Sequence, residues 1–320
     1  MRQLNLLLLG KTGHGKSATG NSTLGHREFQ TSSSVSSVTT EVKCSQGVYK
    51  NYSINVIDTP GLADTEFENS RVEEIEMVIE NMNKSIEMSP GGIHVFLFVV
   101  TFGNRFTQED KCCLDTFRKI FGPRFLESNG IIVFTHGDLF KQFMDDEGVP
   151  DKSFDEWCRE QRGVLGDLIA ECRYRCVLFN NIQRDVAARQ KQIEQLDEHV
   201  REFECPYTLE HFQRYSGLRK KLIVELKLPK LKEMFQREID KLNSQVNLQG
   251  VMSHAVVLRK LHELSCRVAK EDEGTGLLND IKEQLTAVRR NIDNLVEMQR
   301  IRQRVQQEAN QRNNSGCSIL

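Results

Sequence analysis

Apolar positions along the chain follow two rhythms. Up to about residue 206, short aliphatic runs recur at 4–9, 52–57, 93–100, 131–134 and 176–179, and the chain between them is long enough for helices. This alternation predicts a mostly parallel sheet joined by right-handed crossovers, with helices on both faces. Between the second and third runs, Val72, Ile75, Ile79, Met82 and Ile86 fall on one helical face. Ser70 and Glu73 have the spacing of a capping box, and Pro90-Gly91-Gly92 closes the segment. Together they predict an amphipathic helix laid on the sheet.

Beyond residue 206 the aliphatic runs stop, and apolar residues take helical spacing in a charged, glutamine-rich background. Pro229 predicts a break between two helices, because proline removes a backbone donor and crowds the preceding turn. Further on, Ile281, Leu285, Val288, Ile292 and Leu295 keep a 4-3 seam until Gln299 and Arg302 take the next positions. Such a seam serves either a coiled-coil partner or a return onto the first domain. The polar run from Asn310 to Gly316 predicts a disordered tail. The expected organisation is an α/β domain at 1–208, a helical, coiled-coil-like extension at 209–309 and a tail at 310–320.

Charge narrows the function classes. With 45 acidic and 43 basic residues the formal net charge is −2, which supplies no general field for nucleic acid or an anionic membrane. No nucleic-acid partner is expected. The nine cysteines are odd in number and irregularly spaced, unlike a disulfide framework, and indicate a reducing, cytoplasmic setting. Cys112, Cys113, Cys172, Cys176 and the single Trp157 read as core residues. The first apolar run ends at Gly10-Lys11 with no small-residue cleavage site, so it reads as a strand and not as a signal peptide. The longest run falls well short of the roughly 20 residues that a membrane-crossing helix needs.

The candidate chemistry lies at the ends of the predicted strands. Gly10-Lys11-Thr12-Gly13-His14-Gly15-Lys16-Ser17 matches G-x-x-x-x-G-K-S/T directly after an apolar strand and before a predicted helix. Glycines there let backbone N–H groups turn around phosphate oxygens, Lys16 reaches the β- and γ-phosphates, and Ser17 is placed to hold Mg2+. Asp58-Thr59-Pro60-Gly61 follows the second strand, where Asp58 would hold Mg2+ through water and the Gly61 amide would sense a γ-phosphate. In the serine-rich loop between them, Thr39 is preferred over Thr40 as the residue that completes the Mg2+ shell. Phe134-Thr135-His136-Gly137-Asp138 then ends the fourth run. An aspartate at that place accepts both N1–H and N2–H2 of guanine, whereas adenine offers no such donor pair. The usual GTPase sequence is Asn-Lys-x-Asp, so Thr135 and His136 depart from it.

In this order, Gly10 to Ser17, Ser37-Val38-Thr39, Asp58-Thr59-Pro60-Gly61-Leu62, Gly103-Asn104-Arg105-Phe106-Thr107-Gln108-Glu109-Asp110, Thr135-His136-Gly137-Asp138 and Phe179-Asn180-Asn181 resemble the GTPases of immunity-associated proteins, the AIG-type GTPases. The resemblance covers approximately residues 1–210, and the box from Gly103 to Asp110 is its most specific part because generic small GTPases lack it. It implies a septin- and dynamin-related P-loop G domain that binds GTP and GDP with Mg2+. It also implies dimerisation through the nucleotide face when GTP is present, with a second copy or with related GTPases. Carried onto this chain, His136 packs against the base, Asp138 selects guanine, and Asn180 or Asn181 closes the base pocket.

Leu62 stands where small GTPases place a water-orienting glutamine just after Asp-x-x-Gly, so slow intrinsic turnover is expected. In the resembling family an arginine at the place of Arg105 enters the partner's site across the dimer, which makes Arg105 the candidate trans arginine finger. The other reading is a GTP-dependent scaffold that does not hydrolyse. Glu109 and Asp110 read as helix-cap residues. The last four residues, Cys317-Ser318-Ile319-Leu320, form a C-a-a-X box of the geranylgeranyl type. They predict lipidation of Cys317 and peripheral attachment to the cytosolic face of a membrane.

Overall fold

The computed structural model describes residues 2–31, 42–62, 68–87, 89–248 and 254–316. Thr39 and Cys317 therefore lie outside the described residues. The elements in chain order are β1 (Arg2–Leu9), α1 (Lys16–Leu24), β2 (Lys43–Tyr49), β3 (Tyr52–Asp58), α2 (Glu68–Glu87), β4 (Val95–Thr101), α3 (Gln108–Phe121), α4 (Phe125–Asn129), β5 (Gly130–Thr135), α5 (Asp138–Asp146), α6 (Phe154–Glu160), α7 (Gly163–Glu171), β6 (Cys176–Leu178), α8 (Val186–Val200), α9 (Leu209–Arg214), α10 (Ser216–Leu248), α11 (His254–Asp272) and α12 (Asn279–Gly316).

The described strands form one sheet in the order β2-β3-β1-β4-β5-β6. β1, β3, β4, β5 and β6 run parallel, while β2 pairs antiparallel with β3 at the edge. β1 lies in the middle, and Leu6, Leu7, Leu8 and Leu9 are all fully buried, as expected of a strand covered on both faces. Alternate residues feed two layers. Leu6, Leu8, Val95, Leu97, Val99, Ile131 and Val133 share a core with Ile193, Leu196 and Val200 of α8. On the other face Phe96 meets Phe121 of α3 at 4.9 Å, and Phe98 meets Phe117 at 6.5 Å. Helices on both faces of a mostly parallel sheet are what the aliphatic rhythm predicts.

Several elements differ from the sequence expectation. The sheet has a sixth strand, β2, whose residues Lys43-Cys44-Ser45-Gln46-Gly47-Val48-Tyr49 alternate between exposed and half-buried. An edge hairpin strand of that kind needs no aliphatic run. Ser70 lies within α2, whose described residues begin at Glu68, and not ahead of it. Thr107 and Asp110 do form a capping box, opening α3.

Two compact units divide at Leu222 and Ile223, later than the boundary at 208. The first unit extends because α9 packs onto it: Phe212 is buried against Phe121, and Arg219 Nη1 donates to the carbonyls of Ile120 (2.9 Å) and Phe212 (2.7 Å). Pro229 does not separate two helices, since α10 runs through it. Proline inside a helix costs about 3 kcal/mol. Burial of Val224, Leu231, Phe235 and Ile239 on either side of it offsets that cost. The second unit, Ile223–Leu320, holds its own core. Phe235, Ile239 and Leu242 of α10, Leu261, Leu264 and Val268 of α11, and Ile281, Leu285, Val288 and Ile292 of α12 share it. The 4-3 seam is thus buried by neighbouring helices of the same unit. α12 continues to Gly316, so the polar run from Asn310 extends the helix instead of leaving it as a tail. Among the described residues no helix is long and apolar enough to cross a membrane.

Candidate nucleotide site

Parallel strands place their C-terminal ends, and the loops that follow them, along one edge of a sheet, where α/β folds bind ligands. Here the loops after β1, β3, β4, β5 and β6 carry the residues 10–17, 58–62, 102–110, 136–138 and 179–181. Side-chain and backbone bonds knit these loops together.

The loop between β1 and α1 turns through Gly13 and Gly15, both in the left-handed region at φ 84° and 88°. α1 begins at Lys16 with no acidic residue in its first turn, leaving its positive end uncompensated. Lys16 Nζ donates to the carbonyls of Gly10 (3.1 Å) and Lys11 (3.0 Å). Burial lowers the Lys16 ammonium to about 8, against the pull of Asp58. Thr12 Oγ1 is buried with no hydrogen-bond partner in this same loop. A buried hydroxyl left unmade costs about 1–3 kcal/mol. An orphan donor beside a helix N-terminus and a buried lysine fits a phosphate-bearing ligand.

Ser17 Oγ donates to Asp58 Oδ2 at 2.6 Å. Two hard oxygens this close suit Mg2+, which takes few protein ligands and completes its shell from phosphates and water. The loop carrying Asp58 is fixed on both sides: Thr59 Oγ1 donates to the Leu8 carbonyl at 2.6 Å, and the Thr12 N–H donates to the Leu62 carbonyl at 3.3 Å. Gly61 lies against the phosphate loop so closely that a Cβ there would come within 2.6 Å of Thr12 N. Leu62 is buried.

At the other end of the site, His136 is exposed with a left-handed φ of 59°, and Asp138 is exposed at the start of α5. The Gly137 N–H donates to the Phe179 carbonyl at 3.0 Å, which holds the 136–138 and 179–181 loops side by side. The two asparagines have different duties. Asn181 Nδ2 donates to Thr19 Oγ1 at 3.1 Å and its Oδ1 accepts from Ser22 Oγ at 2.8 Å, so it is spent on α1. Asn180 Oδ1 accepts from the Ile182 N–H at 3.1 Å, closing its own turn.

Three contacts escaped the sequence reading. Thr135 Oγ1 lies 3.1 Å from the His14 carbonyl and 3.3 Å from that of Val100, tying the base loop to the phosphate loop. Asp110, besides capping α3, places Oδ1 3.5 Å from His14 Nε2, and Glu109 Oε2 lies 3.7 Å from Lys11 Nζ. Burial holds the His14 imidazole below its ordinary pKa; Asp110 pulls upward and Lys16 adds to the lowering. The family-specific box is therefore joined to the phosphate loop through its two carboxylates. Arg105 is exposed in the loop between β4 and α3 and lines a cavity together with Lys11 and His14.

Comparison with known sequences gives a consistent picture. The sequence model of the AIG1 family matches residues 4–220. Immune-associated nucleotide-binding protein 1 of Arabidopsis thaliana is 34% identical over 210 residues, covering 64% of this chain and 88% of the relative. Immune-associated nucleotide-binding protein 8 of the same plant is 31% identical over 194 residues, or 60% of this chain and 51% of the relative. This chain thus spans about half the length of protein 8, and likewise 54% of immune-associated nucleotide-binding protein 3. Among solved structures, Toc33 from Arabidopsis thaliana in complex with GDP and Mg2+ aligns with 65% of this chain and 88% of its own, at 17% identity and a TM-score of 0.45.

Proposed function

The chain belongs to the AIG1 family, whose model matches residues 4–220; on that premise we propose that its Met1–Leu222 unit is a GTP-binding G domain and works as a guanine-nucleotide switch with slow hydrolysis that depends on dimerisation. The observation that carries the proposal is the convergence of five strand-end loops on one sheet edge, with Thr135 joining the base loop to the phosphate loop.

In this reading the amides of residues 13–17 and Lys16 hold the phosphates, and Asp138 accepts the two guanine N–H groups. His136 covers the base, and Asn180 or Asn181 closes the base pocket. Ser17 and Asp58, with Thr39 as the expected third residue, would hold Mg2+, which would supply positive charge beside the phosphate oxygens. Nothing at Leu62 can orient water, because its side chain is apolar. Turnover must therefore draw on a group from elsewhere. Arg105 is the candidate: it is exposed beside Lys11 and His14, and among the described residues it has no carboxylate partner. Placed across a G-domain dimer, its guanidinium would stabilise charge on the transferring phosphoryl group, an effect worth about 1,000-fold or more in related chemistry. The buried Leu62 favours a second reading, in which bound GTP supports assembly and is not cleaved.

The proposal places the assembly on the cytosolic face of a membrane through Cys317, since Cys317-Ser318-Ile319-Leu320 has the residue pattern that prenyl transfer takes. One prenyl chain binds weakly, and two in a dimer bind far better. The test is GTP turnover measured against protein concentration, with Arg105→Ala alongside. Specific activity that rises with concentration and collapses in the variant supports the dimer-activated GTPase. Tight binding with flat, negligible turnover in both proteins assigns the scaffold role.

A further inference from the structure

A cavity of about 830 Å3 opens beside the phosphate loop, bounded by the 102–107 loop, α5, and the α6–α7 segment. Its size is within the roughly 300–1,000 Å3 of small-molecule sites. The floor is aromatic: Phe102 meets Trp157 at 5.1 Å and Phe143 at 5.6 Å, both edge-to-face. Trp157, read as a core residue, does pack against Phe102, Phe134 and Phe154, but it is only half-buried and lines this space. Phe143 and Val164 remain 38% and 44% exposed, leaving apolar surface on the cavity that no protein group covers.

The rim is cationic. Arg105 and Arg162 both line the cavity, and among the described residues neither faces a carboxylate at ion-pair distance. Arg162 Nη1 donates to the backbone carbonyls of Arg159 and Gln161, at 3.2 Å each, and keeps its charge uncompensated. One acid, Asp110, also lines the cavity: its Oδ2 accepts from the N–H and hydroxyl of Thr107 at 2.8 and 2.9 Å, and its Oδ1, with no hydrogen-bond partner among the described residues, lies 3.5 Å from His14 Nε2, while Glu109 lies against Lys11. An aromatic floor under two unneutralised guanidinium groups matches an amphipathic anion, whose body covers the rings while its head accepts from the rim.

We propose that this cavity is a binding site for an organic anion, a carboxylate or its phosphate or sulfonate equivalent, carrying an aliphatic or aromatic body. The site shares Lys11, His14 and Arg105 with the machinery assigned above, Arg105 being the residue given to a partner's phosphoryl group, so its occupant adjoins the phosphate loop.

Trp157 is the single tryptophan of the chain, so its emission reports occupancy. The full-length protein is titrated with decanoate and, separately, with decanol, which has the same chain without the charge. Expected is a saturable change in Trp157 emission with decanoate, with decanol binding at least about tenfold more weakly, as loss of a charge-assisted hydrogen bond requires. Arg162→Glu should weaken decanoate by at least about tenfold and leave decanol unchanged. Val164→Phe, which fills the mouth, should weaken both, with circular dichroism confirming that each variant is folded. Equal affinity for decanol and decanoate, indifference to Arg162→Glu in a folded protein, or an emission change that never saturates would each overturn the proposal.

Discussion

Gly61→Ala tests the closure between the phosphate loop and the loop that follows β3. The added methyl would lie 2.5 Å from Lys16 Nζ, 2.6 Å from Thr12 N and 2.7 Å from Thr12 Cα. The lysine end can swing aside, whereas the Thr12 backbone cannot, because its N–H is bonded to the Leu62 carbonyl at 3.3 Å. Moving the methyl out from 2.7 Å to an ordinary 3.4 Å from the Thr12 backbone pushes the two loops apart and stretches that already long bond past hydrogen-bond range. The lost bond is worth about 1 kcal/mol and the overpacking about 1–3 kcal/mol, so holding the closed arrangement becomes about 2–4 kcal/mol harder. On the proposed reading only the γ-phosphate requires that arrangement. Affinity for a non-hydrolysable GTP analogue should fall by about 30-fold or more, while GDP loses less than about threefold. Titration of a fluorescent GDP, competed by each unlabelled nucleotide, measures both. A variant that keeps the wild-type ratio of the two affinities refutes the assignment of Gly61 to the γ-phosphate.

Thr135→Val keeps the side-chain volume but removes the hydroxyl that reaches the carbonyls of His14 and Val100. It should cost about 1–3 kcal/mol of local stability and weaken GDP binding by about tenfold, read by thermal melting and titration. The Lys16 ammonium sits at about 8 in this structure, and a bound phosphate raises it, so nucleotide binding takes up a proton. GDP affinity should be at its plateau below about pH 8 and decline above it, approaching tenfold per pH unit; calorimetry in buffers of differing ionisation enthalpy detects the proton. In the second unit, burial pushes the Asp272 carboxyl up, but the Lys282 ammonium, the Leu278 N–H, the Thr275 hydroxyl and the Gly276 N–H outweigh it and hold the pKa at about 2. Because this folded value lies below the ordinary 3.8, the stabilisation is complete above about pH 4 and is lost as pH falls towards 2. Urea midpoints across that range should slope in the native protein and flatten in Asp272→Asn.

Local pattern and long-range contact were not equally legible in the sequence. The central strands showed themselves because a strand covered on both faces must be aliphatic throughout, as Leu6 to Leu9 are. β2 was hidden for the opposite reason: an edge strand with half-buried residues leaves no apolar run. Pro229 misled because local backbone cost was read without the burial of Leu231 and Phe235, which overrides it. The seam from Ile281 to Ile292 was visible, but not its occupant, since α10 and α11 cover it from within the chain. At the site, the phosphate loop and Asp58 were legible from spacing. The bond from Thr135 to His14 spans 121 residues of sequence and leaves no local mark, and so does the reach of Asp110 from its helix cap to the same histidine. Only the departure of Thr135 from the usual asparagine pointed there.

The assignment of Asp138 as the base-reading residue is best decided by nucleotide competition on the full-length protein and on Asp138→Asn. A carboxylate accepting two N–H groups is worth about 3 kcal/mol or more, so GDP should displace a bound fluorescent GDP at concentrations at least about 100-fold below those of ADP. In Asp138→Asn that preference should vanish, and XDP, whose xanthine presents a carbonyl where guanine has its amine, should become the better competitor. GDP and ADP displacing equally in the native protein, or an Asp138→Asn variant that still prefers GDP, would contradict the account.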